Sequence, residues 1–188
     1  MAKNRELGLP EDVELVKCAE CGAEGLVSRS GKEFEGCNMI FTDEGKIICY
    51  DCQAPSKATG GYWLFTLRNK GKYPKSTKNS GKWLIFVDRK DVDEVWAKIK
   101  KATEKGKLGG TSKVSTPKPK PTDIGYEKDK HVICVYTYDW TDEKDVKRVR
   151  EELRKLGITN KIPYKADEDT LSGKYRVRGH KRISKYYE

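Results

Sequence analysis

The sequence contains no apolar run of about 18 residues, the length that a membrane-spanning helix needs, so no span is predicted. No basic segment followed by an apolar one opens it, so no secretory signal is predicted and we expect a cytoplasmic protein. Histidine is scarce, and neither His131 nor His180 adjoins a serine, cysteine or aspartate in a recognisable catalytic set. We therefore expect binding rather than catalysis, with a lysine-dependent lyase as the enzymatic alternative.

Charge is abundant, and its distribution along the chain is uneven. The net charge is +10, but residues 1–53 hold six Lys/Arg against eleven Asp/Glu, which gives −5. The other 33 Lys/Arg and 18 Asp/Glu give residues 54–188 a charge of +15. This basic part suits a polyanion such as RNA. The alternative is a lysine-rich and glutamate-rich surface of the kind found in thermophiles, in which lysine serves solubility.

Two C-x-x-C pairs lie in the acidic part: Cys18 with Cys21, and Cys49 with Cys52. Four thiolates on two tight turns suit one tetrahedral, structural Zn²⁺. Short strands are predicted at 26–28, 34–41 and 46–48, after a polar lead-in over 1–16. The pattern indicates a zinc ribbon over residues 1–53.

Disulfides, a redox pair and an iron–sulfur centre are the competing interpretations of these cysteines. A cytosolic setting disfavours disulfides, and two pairs in one small module disfavour a thioredoxin-like site. Cys37 and Cys134 are expected to be small core residues. Cys37 as a substitute metal ligand stays open.

The rest of the chain alternates strand-like and helix-like patterns after a small polar linker at 54–61. Strands are predicted at 62–67, 83–87, 131–136, 160–165 and 175–178, and loops at 68–80, 107–121 and 166–173. One helix should begin at Asp91, with Glu94 completing a capping box, and another near Asp142. These elements predict an α+β domain over 62–188, with helices on one face of a sheet.

Five short motifs in this domain occur in an order that resembles a known family. They are Ser80-Gly81-Lys82-Trp83-Leu84, Ser112-Lys113-Val114-Ser115, the stretch 131–142, Tyr164-Lys165-x-Asp167 and Gly173-x-Tyr175-Arg176. Together they resemble the family typified by the basophilic-leukaemia-expressed protein, over roughly residues 60–180 but not the zinc module. The resemblance implies a fold like that of translation initiation factor 4E, a curved and mainly antiparallel sheet backed by helices. Ala166 stands where the family pattern has proline, and residues 169–172 replace a tyrosine-rich turn.

Cap-binding proteins of the 4E fold hold a base between two tryptophans, and the resemblance implies that role for Trp63 and Trp83. The alternative places both in the core, where a tryptophan buries much apolar area. Basic motif residues would line an anion pocket, with acidic residues as counter-charges. The predicted pocket consists of Trp63, Lys82, Trp83, Lys113, Asp139, Lys165 and Arg176, with Asp167 as a second counter-charge.

The favoured function is RNA binding on the ribosome or another translation complex, with the zinc ribbon as a docking or dimerising element. Phosphate contacts are expected from two loops and the C-terminal tail. These residues are Arg68, Lys70, Lys72, Lys75, Lys78, Lys113, Lys118, Lys120, Arg176, Arg178, Lys181, Arg182 and Lys185. The alternative is a nucleotide or phosphate pocket that uses Lys82, Lys113, Lys165 and Arg176. Some related sequences are labelled as phosphothreonine lyases, which would make that pocket catalytic.

Overall fold

The computed structural model describes residues 9–30, 37–42, 45–58, 61–118, 129–173 and 184–188. The chain divides into two compact units, Met1–Ala54 and Pro55–Glu188. Of the helices in the described ranges, none has the length and apolar character that crossing a membrane requires.

The first unit is made of two small antiparallel strand pairs. Strand β1 (Val13–Lys17) pairs with β2 (Glu24–Ser28), and β3 (Met39–Phe41) pairs with β4 (Ile47–Cys49), which leads into a 3₁₀ turn at Tyr50–Cys52. Its core consists of Val27, Met39 and Ile48 together with two of the cysteines. The prediction that residues 1–16 form a polar lead-in is wrong for the part that belongs to β1. Pairing with β2 supplies hydrogen bonds to the backbone of β1 and buries Val13.

The second unit contains a six-stranded sheet. Its strands are β5 (Trp63–Leu67), β6 (Gly81–Asp88), β7 (Thr111–Ser115), β8 (Lys130–Thr137), β9 (Pro163–Ala166) and β10 (Tyr186–Tyr187). The spatial order is β10-β9-β6-β8-β7-β5, and every neighbouring pair is antiparallel. The predicted α+β class with an antiparallel sheet is therefore confirmed.

Helices α1 (Val92–Glu104) and α2 (Glu143–Lys155) cover one face of this sheet. Their buried residues pack with those of the strands in one core. That core contains Leu64, Trp83, Ile85, Val92, Trp96, Ile99, Val114, Ile133, Val135, Val146, Val149, Leu153 and Tyr164. Successive side chains of a strand point to opposite faces, so the residues between these form a second face, which we call the open face.

The two long helices begin differently. The Asp142 side chain accepts a hydrogen bond from the Asp145 backbone N–H, as a helix cap does. The capping box predicted at Asp91 is wrong, since Asp91 has αR backbone angles and its side chain makes no cap bond. Glu94 is paired with Lys98 instead.

Three segments predicted as irregular have regular structure. Strand β7 lies inside the predicted 107–121 loop, and a short helix, α3 (Asp167–Leu171), lies inside the 166–173 loop. Strand β10 pairs with β9 and belongs to the predicted basic tail. Three acidic residues in the first turn favour α3, because they oppose the positive end of its dipole. The strand predicted at 175–178 lies outside the described residues.

Part of the segment predicted as a linker is fixed to the second unit. The Ser56 backbone N–H and hydroxyl donate to Asp93 at 2.9 and 2.6 Å. The Arg89 guanidinium donates to the Ser56 carbonyl at 2.7 and 2.9 Å. Residues 55–58 are thereby held against the start of α1.

Candidate functional site

Four cysteines converge in the first unit. The Sγ atoms of Cys18, Cys21, Cys49 and Cys52 all lie within 4.8 Å of one another. Cys18 and Cys21 lie in the turn between β1 and β2, Cys49 ends β4, and Cys52 ends the 3₁₀ turn that follows β4. Four converging sulfur ligands can hold one metal ion. Cys37 is not part of this cluster; it forms a parallel bridge with Leu26.

Backbone hydrogen bonds set the geometry of the first C-x-x-C turn. Gly22, with a φ of 73°, donates its N–H to the Cys18 carbonyl at 2.9 Å, and Cys18 donates to Ala23 at 2.8 Å. The Ala19 N–H donates to the Ile47 carbonyl at 2.9 Å. The last bond ties the first cysteine pair to the strand that carries the second.

The open face of the second unit combines lysines with aromatic and aliphatic side chains. Phe65, Leu67 and Phe86 are largely exposed there, and Trp63 is half-buried. Strand register places Lys113 opposite Phe65 and Cys134. It also places Lys82 opposite Tyr136 and Lys165.

Lys113 lies at the centre of an aromatic cluster. Its ammonium is 4.2 Å from the centroid of the Trp63 ring, 5.6 Å from that of Tyr136 and 5.9 Å from that of Phe65. Each distance is within cation–π range. The cluster therefore presents positive charge and ring surface at the same place.

Lys82 and Lys165 are nearly buried beside α3. The Lys82 ammonium donates to Asp167 and to the Thr170 hydroxyl, the latter at 2.8 Å. Ser80 donates its hydroxyl to the other Asp167 oxygen at 2.7 Å. Burial and the neighbouring Lys82 charge lower the pKa of Lys165.

A pocket of about 280 Å³ opens between the 68–80 loop and the open face. It is lined by Phe65, Tyr73, Pro74, Ser76, Gly110, Thr111, Tyr136, Thr137, Tyr138 and Asp167. Four of these ten residues are aromatic, and one is a carboxylate. Such a cavity suits a flat ring that carries hydrogen-bond donors or positive charge.

Tyr73 forms a rigid wall of this pocket. Its hydroxyl donates to Asp145, its ring meets Tyr138 edge-to-face at 5.6 Å, and the Arg68 guanidinium lies 4.8 Å from its centroid. Burial and the Asp145 carboxylate raise the pKa of Tyr73. The ring is therefore held in place by three separate contacts.

Two glycines let the 68–80 loop and the β7 region close around the pocket. A Cβ on Gly109 would overlap the Tyr136 carbonyl, and one on Gly110 would approach the Tyr73 ring to 3.3 Å. Arg68 adds hydrogen bonds to the Leu108 and Gly109 carbonyls at 2.7 and 3.4 Å. The pocket thus depends on backbone-to-backbone approach that a larger residue would prevent.

The structure separates the two tryptophans suggested for base stacking. Trp83 is completely buried under the helices, where its Nε1 donates to the Val146 carbonyl at 3.2 Å. It lies on the opposite face from Lys82 and Lys113, so it does not line the predicted anion pocket. Trp63 lies on the open face. Asp139 accepts from Thr77 and Thr141 rather than from a lysine.

The predicted RNA-contacting residues differ in their surroundings. Lys70, Lys72, Lys75 and Lys78 are exposed on the 68–80 loop, whereas Arg68 is bonded to backbone carbonyls. Lys118 lies 5.0 Å from the Tyr62 ring, and Lys185 pairs with Glu168 at 3.0 Å. Lys120, Arg176, Arg178, Lys181 and Arg182 lie outside the described residues.

Sequence reasoning missed the aromatic residues Phe65, Tyr73 and Tyr136 as site residues. Strand alternation could have indicated Phe65. Trp63 and Phe65 are two residues apart on one strand, so both side chains point away from the face that buries Leu64. His131 is buried, with Nδ1 2.7 Å from the Ser115 carbonyl oxygen, and lines no part of the pocket.

Comparison with known proteins supports the architecture. A family model described as "Basophilic leukemia-expressed protein Bles03" matches residues 75–170, slightly more than half of the chain. Two structures of schistosome eIF4E with 4E-BP, one complexed with m7GpppG and one with m7GpppA, each match with a TM-score of 0.51 and 18% identity. Each match covers 72% of this chain and 75% of the other.

A Caenorhabditis elegans eIF4E-3, in complex with the 4E-binding protein Mextli and a cap analog, matches with a TM-score of 0.46 and 20% identity. That match covers 65% of this chain and 73% of the other. The schistosome matches show the fold alone, and the expected 4E-like fold is thereby confirmed.

Proposed function

Because the chain belongs to the Bles03 family and has the fold of initiation factor 4E, we propose that it binds RNA through its open face and acts in translation. The observation that carries this proposal is the contact of the Lys113 ammonium with three aromatic rings. Single-stranded nucleic acid is bound by the same combination, with bases stacked on rings and phosphates on cations.

The exposed aromatic residues supply the stacking surface. Phe65 is 54% exposed, and Trp63 is half-buried beside it on the same strand. Stacking a base on such a ring contributes about 1–3 kcal/mol. Two rings on one strand can therefore give micromolar affinity when lysine–phosphate contacts add to them.

Phosphate contacts are assigned to Lys113 and to the exposed lysines of the 68–80 loop. The net charge of +15 on residues 54–188 supports this assignment. Contacts of this kind give affinity that falls with salt and little sequence preference. Single-stranded loops of an abundant structured RNA, such as ribosomal RNA, suit that mode of binding.

The aromatic pocket is assigned to one base of the bound RNA. Its volume of about 280 Å³ fits a single ring system between Phe65, Tyr73 and Tyr136. The schistosome eIF4E of the same fold is complexed with m7GpppG, which supports nucleotide binding by this chain. The second candidate is a free nucleotide in the same pocket, favoured by the nearby Lys82.

The four-cysteine cluster is assigned to one structural Zn²⁺. Four sulfur ligands leave no coordination position open for substrate, so the ion would supply rigidity rather than chemistry. The acidic character of residues 1–53 makes this unit unsuited to phosphate contacts. We assign it to docking on a protein partner or on a second copy.

The test compares RNA binding by the wild type and by Phe65→Ala. Loss of one stacking ring should weaken binding of a fluorescent single-stranded RNA roughly five- to 150-fold, the equivalent of about 1–3 kcal/mol. Phe41→Ala is the matched control, since it is the same substitution at a side chain that is 42% exposed and lies on β3 of the first unit. Equal affinity of Phe65→Ala and wild type would contradict the proposed face. Saturable binding of a free nucleotide without RNA binding would favour the second candidate.

A further inference from the structure

Lys82 and Lys165 form an unusual pair on the open face. They lie directly opposite each other on β6 and β9, and both are nearly buried. Like charges facing each other across strands destabilise a sheet, and burial adds to that cost. A purely structural position would be filled more stably by an apolar pair.

The acidic helix α3 neutralises this pair. Asp167 accepts from the Lys82 ammonium with one carboxylate oxygen and from Ser80 with the other. Thr170 accepts a third bond, from Lys82 at 2.8 Å. The Asp167 side chain is 25% exposed, so solvent reaches part of it while it holds these donors.

Charge, rather than apolar packing, holds α3 on the sheet. The one residue of α3 that is buried is Asp169, and its apolar residue Leu171 is 89% exposed. Lys185 pairs with Glu168 at 3.0 Å and lies 4.0 Å from Asp169. An element held by ion pairs is sensitive to a competing polyanion, because the polyanion offers the lysines an alternative partner.

Asp167 also lines the aromatic pocket. A nucleotide whose base lies against Tyr136 carries a phosphate within reach of Lys82, which is 5.6 Å from the same ring. We propose that Asp167 occupies the position of an RNA phosphate in the free protein, and that RNA binding displaces Asp167 and releases α3 from Lys82. This inference rests on the proposed RNA-binding function. It adds that the Asp167 carboxylate competes with RNA phosphate for Lys82.

The first experiment measures the affinity of a fluorescent single-stranded RNA for Asp167→Asn. The asparagine keeps the shape of the side chain and removes the competing charge, so binding should tighten about tenfold relative to the control. The control is Glu94→Gln on α1, which removes the same charge from an exposed ion pair on the helix side. Equal affinity of the two variants, or weaker binding by Asp167→Asn, would overturn the proposal.

The second experiment needs no variant. Hydrogen–deuterium exchange is followed in the peptides that cover residues 163–173, with and without RNA. The amides of α3, and that of Ser172 just after it, whose N–H is bonded to the Glu168 carbonyl at 2.9 Å, should exchange at least several-fold faster in the complex. Unchanged or slower exchange of α3 in the RNA complex would contradict displacement.

The same exchange measurement with inorganic phosphate, at the concentration of phosphate groups used for RNA, tests whether a free anion is enough to displace Asp167. Exchange in α3 should remain slow with phosphate alone, and a release by phosphate would overturn RNA as the displacing ligand. A wild-type protein that binds no RNA contradicts the proposed function itself. A protein that binds RNA with α3 still protected contradicts only the displacement.

Discussion

At the scale of single residues, the pocket depends on a glycine that no larger residue can replace. A Cβ on Gly109 would overlap the Tyr136 carbonyl, which belongs to β8 and cannot move independently of the sheet. The segment between α1 and β7 is therefore brought against β8 by the absence of a side chain. The same Cβ would also lie 3.4 Å from the Tyr73 hydroxyl, so this position adjoins two of the tyrosines that line the pocket.

We predict that Gly109→Ala lowers the free energy of unfolding by about 2–3 kcal/mol, since overpacking at a rigid contact displaces backbone. Chemical denaturation monitored by tryptophan fluorescence measures this change. Gly61→Ala is the control, because a Cβ there would come no closer than 3.8 Å to the Trp63 carbonyl. Equal destabilisation by both substitutions would show that the contact at Gly109 is not the cause.

The tyrosines around the site predict a loss of stability at alkaline pH. Burial raises the pKa of Tyr136 and Tyr164, burial and Asp145 raise that of Tyr73, and the hydrogen bond to Asp142 raises that of Tyr138 to about 12. An unfolded tyrosine ionises near pH 10. Above that pH the folded state therefore keeps protons that the unfolded state releases.

The free energy of unfolding should consequently fall as the pH rises from about 10 towards 12, because the folded state binds more protons in this window. Urea denaturation at a series of pH values measures the fall, and absorbance at the tyrosinate band reports ionisation. Full ionisation of all tyrosines near pH 10 in the folded protein would contradict the raised pKa values.

Which residues lie on the open face could be predicted only in part from the sequence. Lys82 and Lys113 were identified from their motifs, and Asp167 as a counter-charge. The face of the sheet on which Trp83 lies could not be predicted. An apolar run such as 83–87 has no alternating polar residues to show which side chains point towards the helices. Only pairing with β8 and contact with α2 determine that Trp83 points inward.

At the scale of elements, the first unit is stabilised by a small core and four converging sulfurs. The buried core consists of three apolar residues and two cysteines. A core of this size is too small to keep the unit folded by itself. Metal binding to four thiolates contributes about 10–16 kcal/mol in zinc-finger peptides. The metal is therefore expected to provide most of the stability of this unit.

We predict one zinc per chain and selective unfolding of the first unit by a chelator. All four tryptophans lie in the second unit, so a chelator should change the far-ultraviolet circular dichroism but not the tryptophan fluorescence. Metal analysis of Cys49→Ser should show loss of zinc, and Cys37→Ser should retain it. Zinc loss in Cys37→Ser, or fluorescence changes with chelator, would contradict this assignment.

The elements that sequence reasoning missed share a physical cause. Strand β7 is short and adjoins a Pro-Lys repeat, so its composition predicted a loop; cross-strand pairing with β5 and β8 is what makes it extended. Helix α3 has five residues, too few for a periodic pattern, and is held by charge pairs with Lys82 and Lys185. Long elements with a full hydrophobic stripe, such as α1 and α2, were predictable.

At the scale of the whole molecule, charge distinguishes one unit, and exposed aromatic rings distinguish one face of that unit. Residues 54–188 carry +15, and the face opposite α1 and α2 exposes rings between lysines. The acidic, cysteine-rich residues 1–53 supply a different kind of surface. RNA contact is therefore assigned to one face of one unit.

The most direct test of this assignment is ultraviolet crosslinking of RNA to the full chain, followed by mapping of the crosslinked peptides by mass spectrometry. Crosslinks are expected at Trp63, Phe65 and Tyr136 and in the 68–80 loop, and high salt should abolish them. Crosslinks confined to peptides of α1 and α2, which cover the opposite face, would contradict the account. So would the absence of any crosslink at low salt.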